Sequence, residues 1–447
     1  MNYCLQVKII VRMQSKIFIS YSWKDKDIAD SIDDDWKAVG ITLDRDIKDL
    51  EYKQDIKDFM SRVKTTDYVL LLISRGYLES KNCMYEALEI FEDADFKKKI
   101  LPILTDDVKI HSADGRLKYI HYWQRKIDNL EKEIRKLKSS VQVSSIYQEL
   151  DDFSKIRASI DNFINRISSI FCVFWPEVKK ENYRLLFKEI GLKEDSTLDE
   201  CFRIRSIADT EDQELASEDI MIKYPTNQYV LFLNAYLATE AKKTKKAKKY
   251  YEKLIEIYPD SFIAHNDLAI LLVDHFNEHE LAKQHYEQAL IIDPNAYGVH
   301  NNLALLLASH FKEYELAKQH HEQALVIDPN FSDAHYNLAI LLANCFKEYR
   351  LAKQHYKQAL LINPNNARYH NNLASLLANH LKEYQLARHH YEQALAIDPN
   401  MTMVHYNLAF LYNDHLNEYD LARKHYIIAI RLNPGLKSVE IDKYFKV

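Results

Sequence analysis

Residues 68–90 read YVLLLISRGYLESKNCMYEALEI, and this stretch decides the fold of the first half of the chain. Tyr68–Ile73 is an unbroken apolar run bounded by polar residues, which predicts a strand buried on both faces, as in a parallel sheet. Ser80 predicts the cap of a following helix that carries Glu86 in its first turns. Open α/β sheets bind ligands at the carboxyl ends of their strands, so Glu86 is the first candidate for chemistry.

Three further strands are predicted around this one, with helices between them. The strands are Lys16–Ser22, Ile41–Asp46 and Ile100–Thr105. Apolar residues at helical spacing predict two amphipathic helices. These residues are Ile28, Ile32 and Trp36 in the first helix and Ile56, Met60 and Val63 in the second. Strands and helices that alternate at this spacing indicate parallel βαβ units in a doubly wound sheet.

The composition indicates a globular, mostly helical chain of two or three domains. It has 447 residues, 47% apolar and 28% charged, with only 6 glycines. The net charge of −6 gives no general attraction to nucleic acid or to an anionic membrane. The five cysteines are scattered and lack CxxC spacing, as in reduced cytosolic thiols. No apolar run approaches the roughly 20 residues that span a bilayer. We therefore expect a cytoplasmic protein without nucleic-acid or membrane partners, and we assign no function to residues 1–14.

Three pieces of the first 175 residues together resemble a known family. Phe18-Ile-Ser-Tyr-Ser22 is followed by Asp25, Asp46 is followed by Leu50, and Ser80-x-x-Cys83-x-x-Glu86 opens the helix after the buried strand. In this order and spacing they resemble the bacterial type of Toll/interleukin-1 receptor (TIR) domain, over about residues 15–175. The resemblance implies a flavodoxin-like α/β fold that self-associates, and that either hydrolyses NAD+ or serves as a signalling adaptor.

The resemblance also implies roles for individual residues. Glu86 takes the position of the catalytic glutamate. The other positions are implied to bind substrate: Ser20, Tyr21 and Ser22 in the first strand-to-helix loop, Asp46 and Leu50 in the gating loop after the second strand, and Asn82 and Cys83 beside the glutamate. Asn82 stands where the family often has Trp, and Lys53 where it often has Gly. No metal and no cofactor is implied, because NAD+ is the substrate.

One carboxylate is enough for this reaction. Nicotinamide is positively charged in NAD+ and leaves as a neutral molecule, so no general acid is needed. Positive charge builds on the ribose as the bond breaks, and a fixed carboxylate in a dry cleft stabilises it. The other interpretation of Glu86 is a solvated helix residue in a non-catalytic adaptor. Cys83 is interpreted as a packed small residue, because no His precedes His111 to activate it.

Two amphipathic runs follow the predicted sheet. The first is marked by Ile127, Leu130, Ile134 and Leu137, and the second by Phe153, Ile156, Ile160, Phe163, Ile167 and Ile170. Their spacing predicts two helices that pack as a hairpin. We assign residues 15–175 to the TIR domain with this hairpin, and residues 176–225 to a helical connector.

The second half of the chain has a period of 35 residues. The period is marked by Pro259, Pro294, Pro329, Pro364, Pro399 and Pro434. The unit resembles the tetratricopeptide (TPR) repeat, two antiparallel helices closed by an Asp/Asn-Pro turn, with one residue more than its usual period. We place the extra residue between the two helices, near Asn277–Glu278. Six units over residues 226–435, the first of them degenerate, predict an all-α superhelix whose concave face binds a protein or peptide ligand, followed by a tail at 436–447.

Histidines form ladders in the repeats, which hold 17 of the 19 in the chain. One ladder is His265, His300, His335, His370 and His405; a second is His275, His310, His380 and His415; a third is His285, His320, His355, His390 and His425. Equivalent residues of adjacent repeats stand about a helix pair apart, too far to share one ion at bond lengths of ~2 Å. The ladders therefore predict packing or surface histidines and no metal site.

Two other polar features have two interpretations each. The residues Asp267, Asn302, Asn337, Asn372 and Asn407 recur in the first helices of the repeats. They either hold a ligand backbone or belong to the plain repeat consensus. Lys242–Lys249, with six Lys in eight residues, is either a solvated helix face or a dock for an acidic partner.

Three functional hypotheses follow from these patterns. In the first, the repeat array senses a cue, the TIR domains cluster, and Glu86 sites cleave NAD+ to nicotinamide and an ADP-ribose product. As the family resemblance implies, NAD+ depletion fits antiphage or cell-suicide defence. In the second, the chain is a non-catalytic signalling adaptor or scaffold that binds proteins through the repeats. In the third, it is a secreted effector that interferes with a host's TIR signalling, although no export signal supports this.

Overall fold

The computed structural model describes residues 16–45, 63, 66–92, 99–105, 107–136, 144–170, 172–190 and 196–445. The predicted gating-loop residues Asp46, Leu50 and Lys53 lie outside the described residues, as does most of the predicted helix around Ile56 and Met60. The chain divides into two compact units, Met1–Pro259 and Asp260–Val447. In the described part of the chain, every helix is too short or too polar to cross a membrane.

The described residues of the first unit form a five-stranded parallel sheet in the order β2-β1-β3-β4-β5. The strands are β1 (Ile17–Tyr21), β2 (Leu43–Arg45), β3 (Tyr68–Ile73), β4 (Ile100–Leu104) and β5 (Val173–Phe174). This order confirms the predicted doubly wound, flavodoxin-like sheet. Pattern analysis missed β5, because a two-residue strand shows no periodicity.

Strand β3 is buried on both faces of the sheet, as its apolar run predicts. Val69, Leu71 and Ile73 contribute to one hydrophobic core, and Leu70 and Leu72 contribute to the core on the opposite face. Successive side chains of a strand point to opposite faces, so a strand covered on both sides needs an apolar residue at every position. The run therefore fixes β3 at the centre of the sheet.

Helices cover both faces of the sheet. They are α1 (Lys26–Lys37), α2 (Arg75–Glu79), α3 (Lys81–Glu92), α4 (Ala113–Ile134), α5 (Ser144–Ser169), α6 (Trp175–Lys180), α7 (Arg184–Glu189), α8 (Ser196–Arg205) and α9 (Thr210–Lys223). Residues of α3, α4 and α5 form the core on one face, and residues of α1 and α6–α9 form the core on the other. The sheet thus lies between two helical layers.

The predicted hairpin of α4 and α5 is confirmed, and it packs against the helix that carries Glu86. The indole of Trp123 in α4 donates a hydrogen bond of 3.1 Å to the carbonyl oxygen of Leu78. The ammonium of Lys81, at the start of α3, lies 3.3 Å from the carboxylate of Asp152 in α5, which is 1% exposed. The hairpin therefore holds α2 through a hydrogen bond and the amino end of α3 through a partly buried ion pair.

The connector and the first repeat helix share the hydrophobic core of the α1 face. Trp36 of α1 contacts Tyr183 edge to face and lies 4.9 Å, centroid to centroid, from Phe187. Gly40, which ends the segment after α1, has a φ of +78° and faces Phe232 in the first repeat helix. A Cβ at Gly40 would lie 2.3 Å from the Phe232 ring, so this contact requires glycine.

Residues 228–432 form six helix pairs, one for each predicted repeat. The pairs are α10 (Gln228–Glu240) with α11 (Thr244–Ile257), α12 (Phe262–Leu271) with α13 (His279–Ile292), α14 (Tyr297–Leu306) with α15 (Tyr314–Ile327), α16 (Ser332–Leu341) with α17 (Tyr349–Ile362), α18 (Ala367–Leu376) with α19 (Tyr384–Ile397), and α20 (Thr402–Leu411) with α21 (Tyr419–Leu432). The first pair belongs to the first compact unit, and the other five belong to the second, which ends with α22 (Val439–Phe445). Fully buried alanines such as Ala282 and Ala289 allow the helices to approach closely.

The extra residue of each 35-residue repeat is accommodated by a π-helical turn. In the second repeat this turn is Leu272–Phe276, and Asn277 follows it in the left-handed conformation. The backbone N–H of Glu278 then donates to the carbonyl oxygen of Leu272. We placed the extra residue at Asn277–Glu278, in the loop. The structure corrects this, because the wider π turn at the end of the first helix takes up the added length.

Polar side chains link each repeat to the next. The amide of Asn302 donates to Asn266, that of Asn337 to Asn301, and that of Asn372 to the Tyr336 hydroxyl, at 2.7–3.3 Å. These bonds favour the repeat-consensus interpretation of the Asn ladder. At the lysine-rich start of α11, Lys243, which precedes the helix, and Lys246 form ion pairs with Glu214, and Lys246 also contacts Glu218. Part of this basic face is therefore engaged with α9.

Candidate functional site

The order of the sheet creates a crevice between β1 and β3. These two strands are paired in parallel, with Tyr21 opposite Leu72 at the carboxyl end. The helix after β1 packs on one face of the sheet, whereas the helix that carries Glu86 packs on the other. Connections that leave in opposite directions open a cleft at the carboxyl edge, which is the usual ligand site of such folds.

Glu86 lies beside this crevice on α3. The hydroxyl of Ser80 accepts a hydrogen bond from the backbone N–H of Cys83, at 3.4 Å, so Ser80 caps the helix as predicted. Cys83 and Glu86 are three residues apart and share one face of the helix. The Cys83 sulfur lies 4.0 Å from the carbonyl oxygen of Tyr21, which places this face against the end of β1. Glu86 itself is only 7% exposed.

The burial of Glu86 differs from the state expected of a solvated helix residue. Cys83, on the same face, is 9% exposed, in agreement with its interpretation as a packed small residue. Asn82, at the position where the family often has Trp, is half-buried. The described part of α3 therefore carries a buried carboxylate and, four residues earlier, a half-buried amide.

Tyr21 forms the β1 side of the crevice, and Arg45 holds it there. The guanidinium of Arg45 donates to the Tyr21 hydroxyl at 3.1 Å and lies 5.4 Å from the centre of its ring. The same group forms ion pairs with Asp30, at 2.5 Å, and Asp33, at 3.2 Å, both in α1. One side chain at the end of β2 thus fixes the position of Tyr21 relative to α1.

The pKa values of the two carboxylates that contact Arg45 are shifted in opposite directions. At Asp30 burial is outweighed by hydrogen bonds from Lys26 and Arg45, and the pKa is lowered. At Asp33 burial outweighs the attraction to Arg45, and the pKa is raised. Arg45 was not among the site residues predicted from the sequence. The sequence does contain a signal for Arg45. It is a cationic residue at the end of a predicted strand, and the preceding helix carries two acidic residues, Asp30 and Asp33, one turn apart.

Ser20 and Ser22 lie behind the crevice rather than at its surface. The Ser20 hydroxyl is 1% exposed and lies 3.2 Å from the Tyr77 hydroxyl. Ser22 is 3% exposed and would lie 3.3 Å from a Cβ at Gly76. Their burial makes both residues part of the support for the strand-to-helix loop.

A second group of polar residues joins the ends of β1, β3 and β4. Ser74 donates to the Asp25 carboxylate at 2.5 Å and accepts from the backbone N–H of Tyr77 at 2.9 Å, so it caps α2. Asp107 accepts from the backbone N–H of Arg75 at 3.2–3.3 Å. Burial and the nearby charge of Asp107 raise the pKa of Asp25, although the Ser74 hydrogen bond opposes this. Asp25, noted in the motif, thus ties the first loop to the end of β3.

A cavity of about 990 Å³ is lined by residues of α1, α6 and α8 and of the segments next to them. Asp27, Asp30, Trp175, Lys179 and Arg205 are among its lining residues, and none of the predicted site residues lines it. The described residues include no cluster of three or more His, Cys, Asp or Glu side chains placed to hold a metal ion. Among their cysteines, Cys172 and Cys345 are free thiols.

Comparisons with known proteins agree with both parts of the fold. A family model described as "TIR domain" matches residues 17–138. Two models described as "Tetratricopeptide repeat" match residues 229–261 and 347–402. No curated protein sequence matches the chain.

Several solved structures are similar to the chain. One is of pilF from Pseudomonas aeruginosa, with 24% identity over 53% of this chain and 97% of that one, at a TM-score of 0.41. Another is of YrrB, a TPR protein with an unusual peptide-binding site, with 23% identity over 45% of this chain and 99% of that one, at a TM-score of 0.37. A third is of a tetratricopeptide repeat protein from Parabacteroides merdae, with 16% identity over 56% of this chain and 96% of that one, at a TM-score of 0.43. The family models and the fold together show that the chain carries a TIR domain at residues 17–138 and tetratricopeptide repeats within residues 229–402.

Proposed function

We propose that this protein hydrolyses NAD+ to nicotinamide and an ADP-ribose product, with Glu86 as the catalytic carboxylate. The observation that carries this proposal is the burial of Glu86 on the helix that borders the β1–β3 crevice. A solvated helix residue would stay in water, whereas a carboxylate that is 7% exposed lies where electrostatic effects are strong. Such a group stabilises the positive charge that develops on the ribose.

The residues around Glu86 supply binding and support. Tyr21 offers a ring that Arg45 holds in place, and Asn82 offers an amide for hydroxyl groups of the substrate. Because nicotinamide leaves as a neutral molecule, the proposal requires no second acid at the site. NAD+ is thus the substrate and no further cofactor is needed.

We assign the repeats to regulation of this reaction. Stacked helix pairs form an extended concave surface that suits a protein segment or peptide, and binding there would bring TIR domains of several chains together. Activation by assembly in the cytoplasm fits a role in antiphage or cell-suicide defence.

The test is nicotinamide release from NAD+ by concentrated or crowded full-length protein. We expect release by the wild type and at least a hundredfold less by Glu86→Gln. Glu79→Gln is a matched control, because Glu79 lies one helix earlier and forms an ion pair with the exposed Arg75. Equal release by the wild type and by Glu86→Gln would remove Glu86 from the mechanism.

The alternative function is a non-catalytic adaptor that clusters through its TIR domain and binds proteins through its repeats. Asn82 favours this function, because an amide replaces the aromatic residue that the family often uses to stack on its substrate. If no nicotinamide is released under any assembly condition, while the protein still self-associates, the adaptor function is supported and NAD+ hydrolysis is rejected.

A further inference from the structure

The histidine ladders are joined in pairs within each repeat. A histidine of the first helix and one of the second helix, 20 residues later, meet with their Nδ1 atoms 2.8–3.0 Å apart. The pairs are His265–His285, His300–His320, His335–His355, His370–His390 and His405–His425. Comparison of equivalent positions between repeats missed this contact, because each pair forms between two different ladders inside one repeat.

The partners of each ring define where its protons lie. In the repeats that follow Pro294, the Nε2 atom of the first histidine lies 3.0–3.1 Å from the carbonyl oxygen of the proline six residues earlier. A carbonyl only accepts, so Nε2 carries a proton and Nδ1 of the same neutral ring is an acceptor. The second histidine must then donate from its own Nδ1. Each of these four pairs therefore joins both helices and the proline turn through one chain of hydrogen bonds.

This arrangement limits how many protons a folded pair accepts. One proton can bind at Nε2 of the second histidine, and its Nδ1–H bond then persists. A second proton would have to bind at Nδ1 of the first histidine. The Nδ1–H groups of the two rings would then face each other, with their nitrogen atoms about 2.9 Å apart, and would repel. In an unfolded chain both rings bind protons freely. Unfolding in acid consequently takes up protons at every pair.

The surroundings of the pairs oppose their protonation. Burial, then the partner ring, then nearby lysines lower the pKa of His320 and His355 to about 4. The charged neighbours of the second-helix rings are Lys283 at His320, Lys318 at His355, His389, Lys357 and Lys353 at His390, and Lys424 with Glu392 at His425. Burial also lowers the pKa of His300 and His335, against the hydrogen bonds to proline and the charges of Asp293 and Asp328. Lysines beside the rings equally disfavour a bound metal cation.

We propose that the five histidine pairs make the repeat array an acid-sensitive element, which is stable at neutral pH and loosens as the solution is acidified through the titration range of histidine. The sign follows from linkage, because the geometry of a folded pair admits fewer protons than its two unfolded rings accept, and the ordinary pKa of an unfolded ring is about 6.5. The stabilisation is complete above that value and is lost progressively down to about pH 4. Each extra proton taken up on unfolding lowers the folded-to-unfolded ratio about tenfold per pH unit. This inference is independent of the proposed NAD+ chemistry.

The test is thermal unfolding of the full chain, followed by circular dichroism from pH 7.5 to pH 4.5. We expect the midpoint of the wild type to fall by at least about 10 °C over this range. The paired variant replaces His285, His320, His355, His390 and His425 with Gln, which donates a hydrogen bond without titrating. We expect its midpoint to fall by less than half as much.

The control variant carries His275→Gln, His380→Gln and His415→Gln, three exposed histidines outside the pairs. It is expected to keep the pH dependence of the wild type. Equal pH dependence of the wild type and the paired variant would overturn the proposal, and so would a control variant that flattens the curve. His321 is 1% exposed and is kept in all variants, so its own titration does not affect the comparison.

A second measurement does not depend on the folding of any variant. Long-range ¹H–¹⁵N correlation spectra of the imidazole rings of the wild type report the tautomer of each histidine directly. We expect Nε2–H rings for the first-helix histidines and Nδ1–H rings for their partners. Spectra in which all the paired rings carry the proton on Nε2 would overturn the proposal.

Discussion

The β1–β3 crevice and the repeat array hold their charged side chains in two different ways. At the crevice, Arg45 contacts three different partners, Asp30, Asp33 and Tyr21, in an arrangement that is not repeated in the described part of the chain. In the array, an ion pair between residues 30 apart recurs as Lys283–Glu313, Lys318–Glu348, Lys353–Glu383 and Arg388–Glu418. When a contact is not repeated, no other contact compensates for the loss of its residues. When a contact recurs in every repeat, each copy contributes only a part of the stability.

The largest effect is expected from Gly40→Ala, which disrupts a contact that occurs once. The new Cβ would meet the Phe232 ring at 2.3 Å, and the φ of +78° is unfavourable for alanine. Overpacking and backbone strain together predict a loss of about 2–4 kcal/mol in the free energy of unfolding. Urea unfolding of the full chain measures this loss. Adding Phe232→Leu to Gly40→Ala should recover part of it.

Gly298→Ala is the matched control in the repeats. A Cβ at Gly298 meets no heavy atom within 4 Å, and the residue lies in helix α14. Alanine there should be neutral or stabilising, by up to about 1 kcal/mol. If both glycine substitutions destabilise equally, close packing between Gly40 and Phe232 is not the reason that position 40 requires glycine.

The repeats were the more predictable part of the fold, because the 35-residue pattern occurs six times in the sequence. The proline period and the recurring Ala and Leu positions predicted every helix pair. The π turn was not predictable in detail, because one added residue fits a loop or a helix end equally well by sequence. The histidine pairs were also missed. A spacing of 20 residues becomes a contact only when two helices pack in a known register.

The crevice was predictable in its outline but not in its support. The apolar run of β3 and the position of Ser80 correctly predicted the strand and the start of the helix that carries Glu86. Arg45 and Ser74 were missed, because their side-chain partners are 12 to 49 residues away and follow from the tertiary fold. The buried position of Ser20 was likewise not visible in its motif. Motifs identify the residues of a site, whereas the contacts behind them depend on packing.

A smaller effect is expected from Arg45→Met at the crevice. The side chain of Arg45 is 17% exposed, and its removal leaves Asp30, Asp33 and Tyr21 without their shared donor. We expect a loss of about 2 kcal/mol in the free energy of unfolding, below the range for fully buried pairs. If the proposed NAD+ hydrolysis is correct, the KM for NAD+ should also rise, because Tyr21 is no longer held at the crevice.

Lys26→Met is the control for this prediction, because Lys26 contacts the same carboxylate. Its ammonium lies 2.6 Å from Asp30, and its side chain is 58% exposed. Solvent screening should limit its effect to roughly 0.5 kcal/mol or less. Equal losses in the two variants would show that the additional contacts of Arg45 to Asp33 and Tyr21 contribute nothing.

The smallest effect is expected from Lys353→Met in the array. Lys353 lies 2.6 Å from Glu383, with side chains 22% and 40% exposed, so its loss should cost about 0.3–1 kcal/mol. Lys283→Met should cost a similar amount, because its pair with Glu313 is equivalent. The two sites are two repeats apart and share no partner, so the double variant should lose the sum of the two within about 0.5 kcal/mol in urea unfolding. A loss well above that sum would mean that the ion pairs of successive repeats act as one network, and the contrast with Arg45 would then disappear.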